Sequence, residues 1–193
     1  MRLAFNLEDI RKLYQVSRFK ADQADASDED LLDVFLIAIY TGARREEIGG
    51  LRLKNFSNAG TIRVENAKTE AVNCEVPIHP QLKAIIPRRV SSLYDADSGI
   101  DSFHFPNLST AKYGKRKDAL GKRFGRIKTS LEYDKRYVFH SIRKTVTTLM
   151  EQAGVAADIL GHDKPSITYG LYSGGTSMEQ KHKAIKALDY NLT

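Results

Sequence analysis

HSIRKTVTTLM, residues 140–150, is the stretch on which the reading of this chain turns. Ile142, Val146, Leu149 and Met150 recur at helical spacing, so one face of the segment is apolar and buried. His140 and Arg143 stand three residues apart on a different face, one above the other. An imidazole displayed beside a guanidinium suits a phosphate whose oxygens also exchange protons. Arginine offers the phosphate a bidentate fork, and histidine carries a proton near neutral pH.

Upstream, Leu31–Tyr40 is apolar nearly all round, which predicts a central buried helix ended by Thr41-Gly42. Ser27 and the acids after it predict an N-cap with a solvated acidic first turn. Directly after this helix comes Gly42-Ala43-Arg44-Arg45-Glu46-Glu47-Ile48-Gly49-Gly50-Leu51. Charged groups so near a buried helix need partners. Arg44 and Glu47 are spaced to pair, which makes Arg44 an arginine held by its neighbour and aimed at an anion in a cleft.

Leu51–Phe56, Thr61–Glu65 and Val72–Ile78 alternate apolar and polar and predict three short antiparallel strands. Lys68 lies in the turn Asn66–Ala71, near a hairpin tip, where a mobile proton donor can reach a groove. Leu7–Tyr14, Gln81–Val90, Lys112–Leu131 and Met178–Leu188 read as further helices, the third with a break near Gly121 or Gly125. Ser98–Thr110 reads as a loop docked by Phe103, Phe105 and Pro106. Beyond Gly154 a short helix leads to Leu160-Gly161-His162, and Tyr172 precedes Ser173-Gly174-Gly175. The fold class is therefore α+β, mainly α-helical with a small three-stranded antiparallel sheet.

The chain has 193 residues, 41% hydrophobic and 28% charged, enough for one cored domain. Its net charge of +6 is local. Residues 112–136 hold ten Lys or Arg against three acids, a surplus of seven, so the remainder carries −1. Lys112, Lys115, Arg116, Lys117, Lys122, Arg123 and Arg126 are the candidate nucleic-acid contacts, to backbone and not to bases. Cys74 is the only cysteine, so no intrachain disulfide and no CxxC metal site form, and a reducing cytoplasm is expected. No apolar run is long enough to span a bilayer, and Met1–Asn6 lacks the apolar core of a signal peptide.

Together these residues resemble the tyrosine recombinases of the phage integrase family. Thr41–Ile48 looks like that family's first arginine box. Lys68-Thr69 looks like its hairpin lysine, His140–Arg143 like its HxxR box, and Leu160-Gly161-His162 like its third box. Tyr172 stands ten residues later, where the nucleophile is expected. Tyr169 is the rival nucleophile, but it lies too near His162 for the usual spacing. The resemblance runs from about Leu7 to Leu188 and covers only the catalytic half of a typical member. It implies a single catalytic domain over residues 1–193, with a core to about residue 175. The terminal helix either folds back or is exchanged between subunits, and the N-terminal core-binding domain is absent from this chain.

The implied function is site-specific DNA recombination without metal, ATP or other cofactor. Tyr172 would attack a scissile DNA phosphate, and Arg44, Arg143 and His162 would meet its charge. Lys68 would protonate the leaving oxygen, His140 would assist proton transfer, and Glu47 would orient its neighbours. Double-stranded DNA and self-assembly, as a tetramer on that DNA, are the implied partners, in the cytoplasm of a bacterial or phage-infected cell. The alternatives are a non-cleaving DNA-binding regulator of the same fold and a type IB topoisomerase-like relaxing enzyme. A metal-dependent nuclease would want clustered carboxylates near the basic patch, and the sequence has none there.

Overall fold

A computed structural model describes residues 1–23, 26–57, 59–64, 74–95, 99–106, 108, 118–153 and 177–192. The helices are α1 (Leu7–Gln23), α2 (Ala26–Thr41), α3 (Arg45–Gly49), α4 (Ile85–Asp95), α5 (Asp118–Ser130), α6 (His140–Gln152) and α7 (Met178–Lys186). The strands are β1 (Phe56–Ser57), β2 (Thr61–Val64) and β3 (Cys74–Pro77). The expected fold class is what is observed: helices around one small antiparallel sheet in the order β1-β2-β3.

α2 is the axis of the core. Leu31, Val34, Phe35, Ile37, Ala38, Ile39 and Tyr40 are all buried, as its unbroken apolar run requires. α1 covers it through Ile10 and Leu13, and α6 through Ile142, Val146 and Met150. Each such large side chain contributes about 1.5–3 kcal/mol on burial. That is enough to fix how α6 lies against α2.

The sheet register pairs Ile62 with Val76, Arg63 with Glu75 and Val64 with Cys74. The period-2 pattern sends Ile62, Val64 and Val76 inward. Arg63 and Glu75 face out and form an ion pair at 3.5 Å. Lys68 falls between these two strands in sequence, outside the described residues.

Several local expectations are corrected. The first strand begins only at Phe56, because Leu53–Asn55 forms a 3-10 turn. Asn55 sets this turn by accepting from the Arg52 backbone N–H at 2.8 Å. Between His79 and α4 the chain makes a separate 3-10 turn, Pro80–Leu82, capped by His79 Nδ1. α5 runs unbroken through Gly121 and Gly125.

The acids of the α2 first turn are not simply solvated. Asp30 and Asp33 are buried and meet two arginines of α4. Arg89 Nη1 lies 2.7 Å from Asp30 Oδ1, and Arg88 Nη2 lies 2.9 Å from Asp33 Oδ2. Arg89 Nε also bonds Asp33.

The last helix packs against the chain's own core. Ser177 and Gln180 form a reciprocal capping box at the start of α7. Ala184, Ile185, Leu188 and Tyr190 are buried in the chain's own core. Tyr190 donates its hydroxyl to the Ile39 carbonyl at 2.7 Å, and its backbone carbonyl accepts from Arg11 Nε at 2.8 Å.

Candidate active site

Three of the six candidate catalytic residues lie in described positions, and the fold brings them together where α2 ends and α6 begins. The junction depends on Gly42. Its amide donates to Ala38 O at 2.8 Å as the helix closes, and its φ of +67° turns the chain through the left-handed region that suits glycine. Thr41 folds its hydroxyl back onto Ile37 O at 2.6 Å. The turn leaves the Gly42 carbonyl facing α6, where it accepts from Arg143 Nη1 at 2.8 Å. Arg143 is buried, 4% exposed, although a polar position on an amphipathic helix would suggest a surface side chain. The carbonyl contact offsets part of the cost of that burial.

Arg44 follows two residues after Gly42, with extended φ and ψ, as the cap of α3. The Glu47 carboxylate accepts from both the Arg44 backbone N–H and its Nη1, each at 2.6 Å. Glu47 thus pairs with Arg44 as their spacing suggested, with its side chain 9% exposed against 38% for Arg44. The guanidinium is fixed on one edge and open to solvent on another.

His140 is the first residue of α6 and is exposed. Its pKa lies below the ordinary imidazole value, because partial burial of the ring and then the charges of Arg143, Arg2, Arg44 and Lys144 disfavour a further cation. Those charges make the junction a cationic patch.

Arg2 was missed in the sequence, since it is remote from every motif. It is brought in by pairing of the N-terminal segment with α6. Phe5 N donates to Thr145 Oγ1 at 2.9 Å, Thr145 Oγ1 donates to Phe5 O at 2.8 Å, and Lys144 Nζ donates to Arg2 O at 2.8 Å.

The candidate DNA contacts divide. Lys122 and Arg126 are exposed one turn apart on α5. Arg123 instead bonds Asp28 of α2 at 2.8 Å, so that member of the basic segment braces the fold. Lys68, His162 and Tyr172, together with Tyr169 and Lys112, Lys115, Arg116 and Lys117, lie outside the described residues. Among the described residues no group of three or more His, Cys, Asp or Glu is placed to hold a metal. None of the described helices is long and apolar enough to cross a membrane.

Helices around a small antiparallel sheet thus bring together two arginines, one bonded to a glycine carbonyl and one to a glutamate. The phage integrase family profile matches residues 5–176, and the chain belongs to that family.

Solved structures share the fold at low identity. The integrase from mycobacterium phage Brujita is 16% identical with a TM-score of 0.64, over 99% of this chain and 59% of that one. The Tn1549 transposon integrase (residues 82–397), in complex with circular intermediate DNA, is 18% identical with a TM-score of 0.61, over 94% and 64%. The lambda integrase (residues 75–356) dimer bound to a COC′ core site is 17% identical with a TM-score of 0.55, over 86% and 62%. The chain thus spans about three fifths of each of these structures. A search of curated proteins finds no match.

Proposed function

We propose that this chain is the catalytic domain of a site-specific DNA recombinase that works through a tyrosine nucleophile. Tyr172 Oη attacks a scissile phosphorus. The new P–O bond gives a 3′-phosphotyrosyl linkage, and the P–O5′ bond breaks. The tyrosine proton leaves toward His140, and Lys68 supplies the proton taken up by the leaving 5′ oxygen. His140, its pKa lowered first by partial burial and then by its cationic surroundings, is a proton acceptor at neutral pH. Arg44 and Arg143 meet the charge on the pentacoordinate phosphate, with His162 as a further donor. The linkage conserves the energy of the broken bond, so religation to a second strand, through a Holliday junction, needs neither ATP nor metal.

The observation that carries this reading is the anchoring of Arg143 on Gly42 and of Arg44 on Glu47 around one imidazole. A cationic cradle preorganised in this way is what phosphoryl-transfer chemistry asks of side chains. Lys122 and Arg126 add backbone contacts to double-stranded DNA. Assembly as a tetramer on that DNA, in a bacterial or phage-infected cytoplasm, completes the reading. The lambda and Tn1549 integrases, seen with DNA, support the choice of partner.

The test is covalent capture. A library of nicked duplexes of randomised sequence is incubated with the protein in EDTA, and adducts that survive denaturation are sequenced. An adduct that is lost in Tyr172→Phe and retained in Tyr169→Phe is expected. Cleavage that requires Mg²⁺, or DNA binding with no adduct from any library member, would remove the proposal.

A further inference from the structure

Arg45, the residue after the anchored Arg44, belongs to no motif role assigned above. It begins α3, a helix of only five residues. So short a helix has no stability of its own and takes its position from its contacts. Ile48 holds it to the core, fully buried. Glu47 ties its first turn to Arg44.

The third contact is with α5. The Arg45 guanidinium lies directly on the α5 backbone at Gly121. A methyl group on that residue would stand 1.9 Å from Arg45 Nη1, 2.9 Å from Cζ and 3.4 Å from Nη2. No side chain fits there while Arg45 keeps its place. One turn further, at Gly125, the same methyl would meet nothing within 4 Å. Glycine is costly inside a helix, and α5 runs unbroken through both. At Gly121 the missing side chain has a purpose: it is the seat of a guanidinium from the catalytic-arginine turn.

We infer that Arg45 is a positioning residue, clamping the turn that carries Arg44 to the basic helix α5 so that the scissile phosphate and the DNA backbone are registered against each other. The clamp joins the two surfaces directly. Lys122, next to Gly121, and Arg126 are exposed on the same helix. Arg44 sits on the other side of the clamp. The inference rests on the recombinase reading, because the register matters only if both surfaces hold one DNA.

Gly121→Ala separates this role from folding. The atoms an alanine would meet are the far end of a flexible side chain, so Arg45 moves and the helix stays. Alanine is also the better helix former. With Gly125→Ala as a matched change, single-turnover adduct formation at saturating nicked duplex is measured beside DNA affinity and thermal stability. Gly121→Ala should keep or raise the Tm, yet slow adduct formation about 10- to 100-fold. Arg45→Ala and Arg45→Lys should slow it comparably, since a lysine cannot lie flat on the glycine. The double variant Arg45→Ala/Gly121→Ala should be no slower than Arg45→Ala alone, because the alanine then has nothing to displace. Gly125→Ala should react at the wild-type rate.

Wild-type rates in Gly121→Ala and Arg45→Ala would overturn the inference. So would losses that multiply in the double variant, or a slower rate matched by a lower Tm. A loss confined to affinity, with the saturated rate unchanged and the salt slope reduced by about one, would make Arg45 a backbone contact and also overturn it. Absence of adduct from the wild type fails the recombinase reading itself, an outcome distinct from all of these.

Discussion

At its N-terminal end α2 presents Asp28, Glu29, Asp30 and Asp33 to Arg88 and Arg89 of α4 and to Arg123 of α5. At its C-terminal end the same helix hands over to Gly42 and Arg44, with Arg143 and His140 of α6 alongside. Both ends hold arginines close to the core, yet the chemistry is opposite. At the first end carboxylates receive the guanidinium groups, and the cluster has little field left for an outside anion. Even so, Asp30 and Asp33 are held above the ordinary carboxylate range, because burial outweighs their arginines. At the second end the described anchor of Arg143 is a neutral carbonyl, and Arg44 has one carboxylate partner among the described residues. Partial burial, then the neighbouring arginines, push the His140 imidazole toward its neutral form. Arginines shared among several carboxylates are braces. Arg44 meets the Glu47 carboxylate on one edge and stays 38% exposed, while Arg143 bonds the Gly42 carbonyl.

Exchanging residues at the two ends is the strongest way to break this contrast. Arg143→Ala should slow adduct formation about 100–1000-fold, or ~3–4 kcal/mol of barrier. The same assay on Arg89→Ala should show a rate near wild type at a temperature where the variant is folded. Arg89→Ala should instead cost about 3 kcal/mol of stability, because two buried acids lose a partner. Urea unfolding measures that loss. If Arg89→Ala proves catalytically as damaging as Arg143→Ala at full occupancy of the folded state, the two ends are not distinct.

Much of the second end could be read in the sequence, and little of the first. Arg44, Glu47, His140 and Arg143 sit in short motifs whose spacing reflects local geometry: three residues along a helix, or a cap and its third residue. A motif of this kind survives any uncertainty about tertiary packing. The helix end at Thr41-Gly42 and the strands around Ile62 and Val76 were legible for the same reason. Asp30 and Asp33 looked like a solvated first turn because their partners lie 55 or more residues away, on a helix whose register no local signal sets. Arg2 and the seat of Arg45 on Gly121 are equally non-local. Gly121 looked like a break in a helix because glycine weakens helices in isolation, and only the fold shows what occupies the space. The 3-10 turn at Leu53–Asn55 was hidden because alternation over six residues does not distinguish a strand from a capped turn that ends in one.

Two imidazoles sharpen the comparison at smaller cost. His140 feels the cationic end, whereas His104 lies in the core against Phe56 and Phe105, with neither ring nitrogen hydrogen-bonded. Burial first, and then Arg89, push its pKa down to about 3. The unfolded chain binds this proton near the ordinary histidine value, so it holds more protons than the folded chain between about pH 3 and 6.5, and stability falls as pH falls through that range. From pH 7 to 5 the expected loss is about 2 kcal/mol. The buried acids of α2 act in the opposite sense, because their raised values favour the folded state on acidification. His104→Leu should therefore flatten the pH dependence of unfolding between 5 and 7 without lowering stability at pH 7. An unchanged slope in that variant would assign the effect elsewhere.

The smallest effect concerns the glycine that makes the second end possible. Gly42 and Gly60 both hold left-handed backbone, with φ of +67° and +78°. An alanine in that region costs about 1 kcal/mol, so Gly42→Ala and Gly60→Ala should each lower the Tm by about 2–4 °C. Their consequences for chemistry should differ. Gly60 has open space around it and lies in the β1–β2 turn, away from the cationic junction. At Gly42 the strain is relieved by rotating a peptide whose carbonyl is the acceptor for Arg143 Nη1. A small rotation there withdraws a neutral anchor that holds a buried guanidinium in line. Gly42→Ala should then slow adduct formation by more than its stability loss accounts for, while Gly60→Ala should not slow it at all. Equal rates in the two variants would mean that Arg143 finds its position without the carbonyl, and that the glycine serves only to turn the chain.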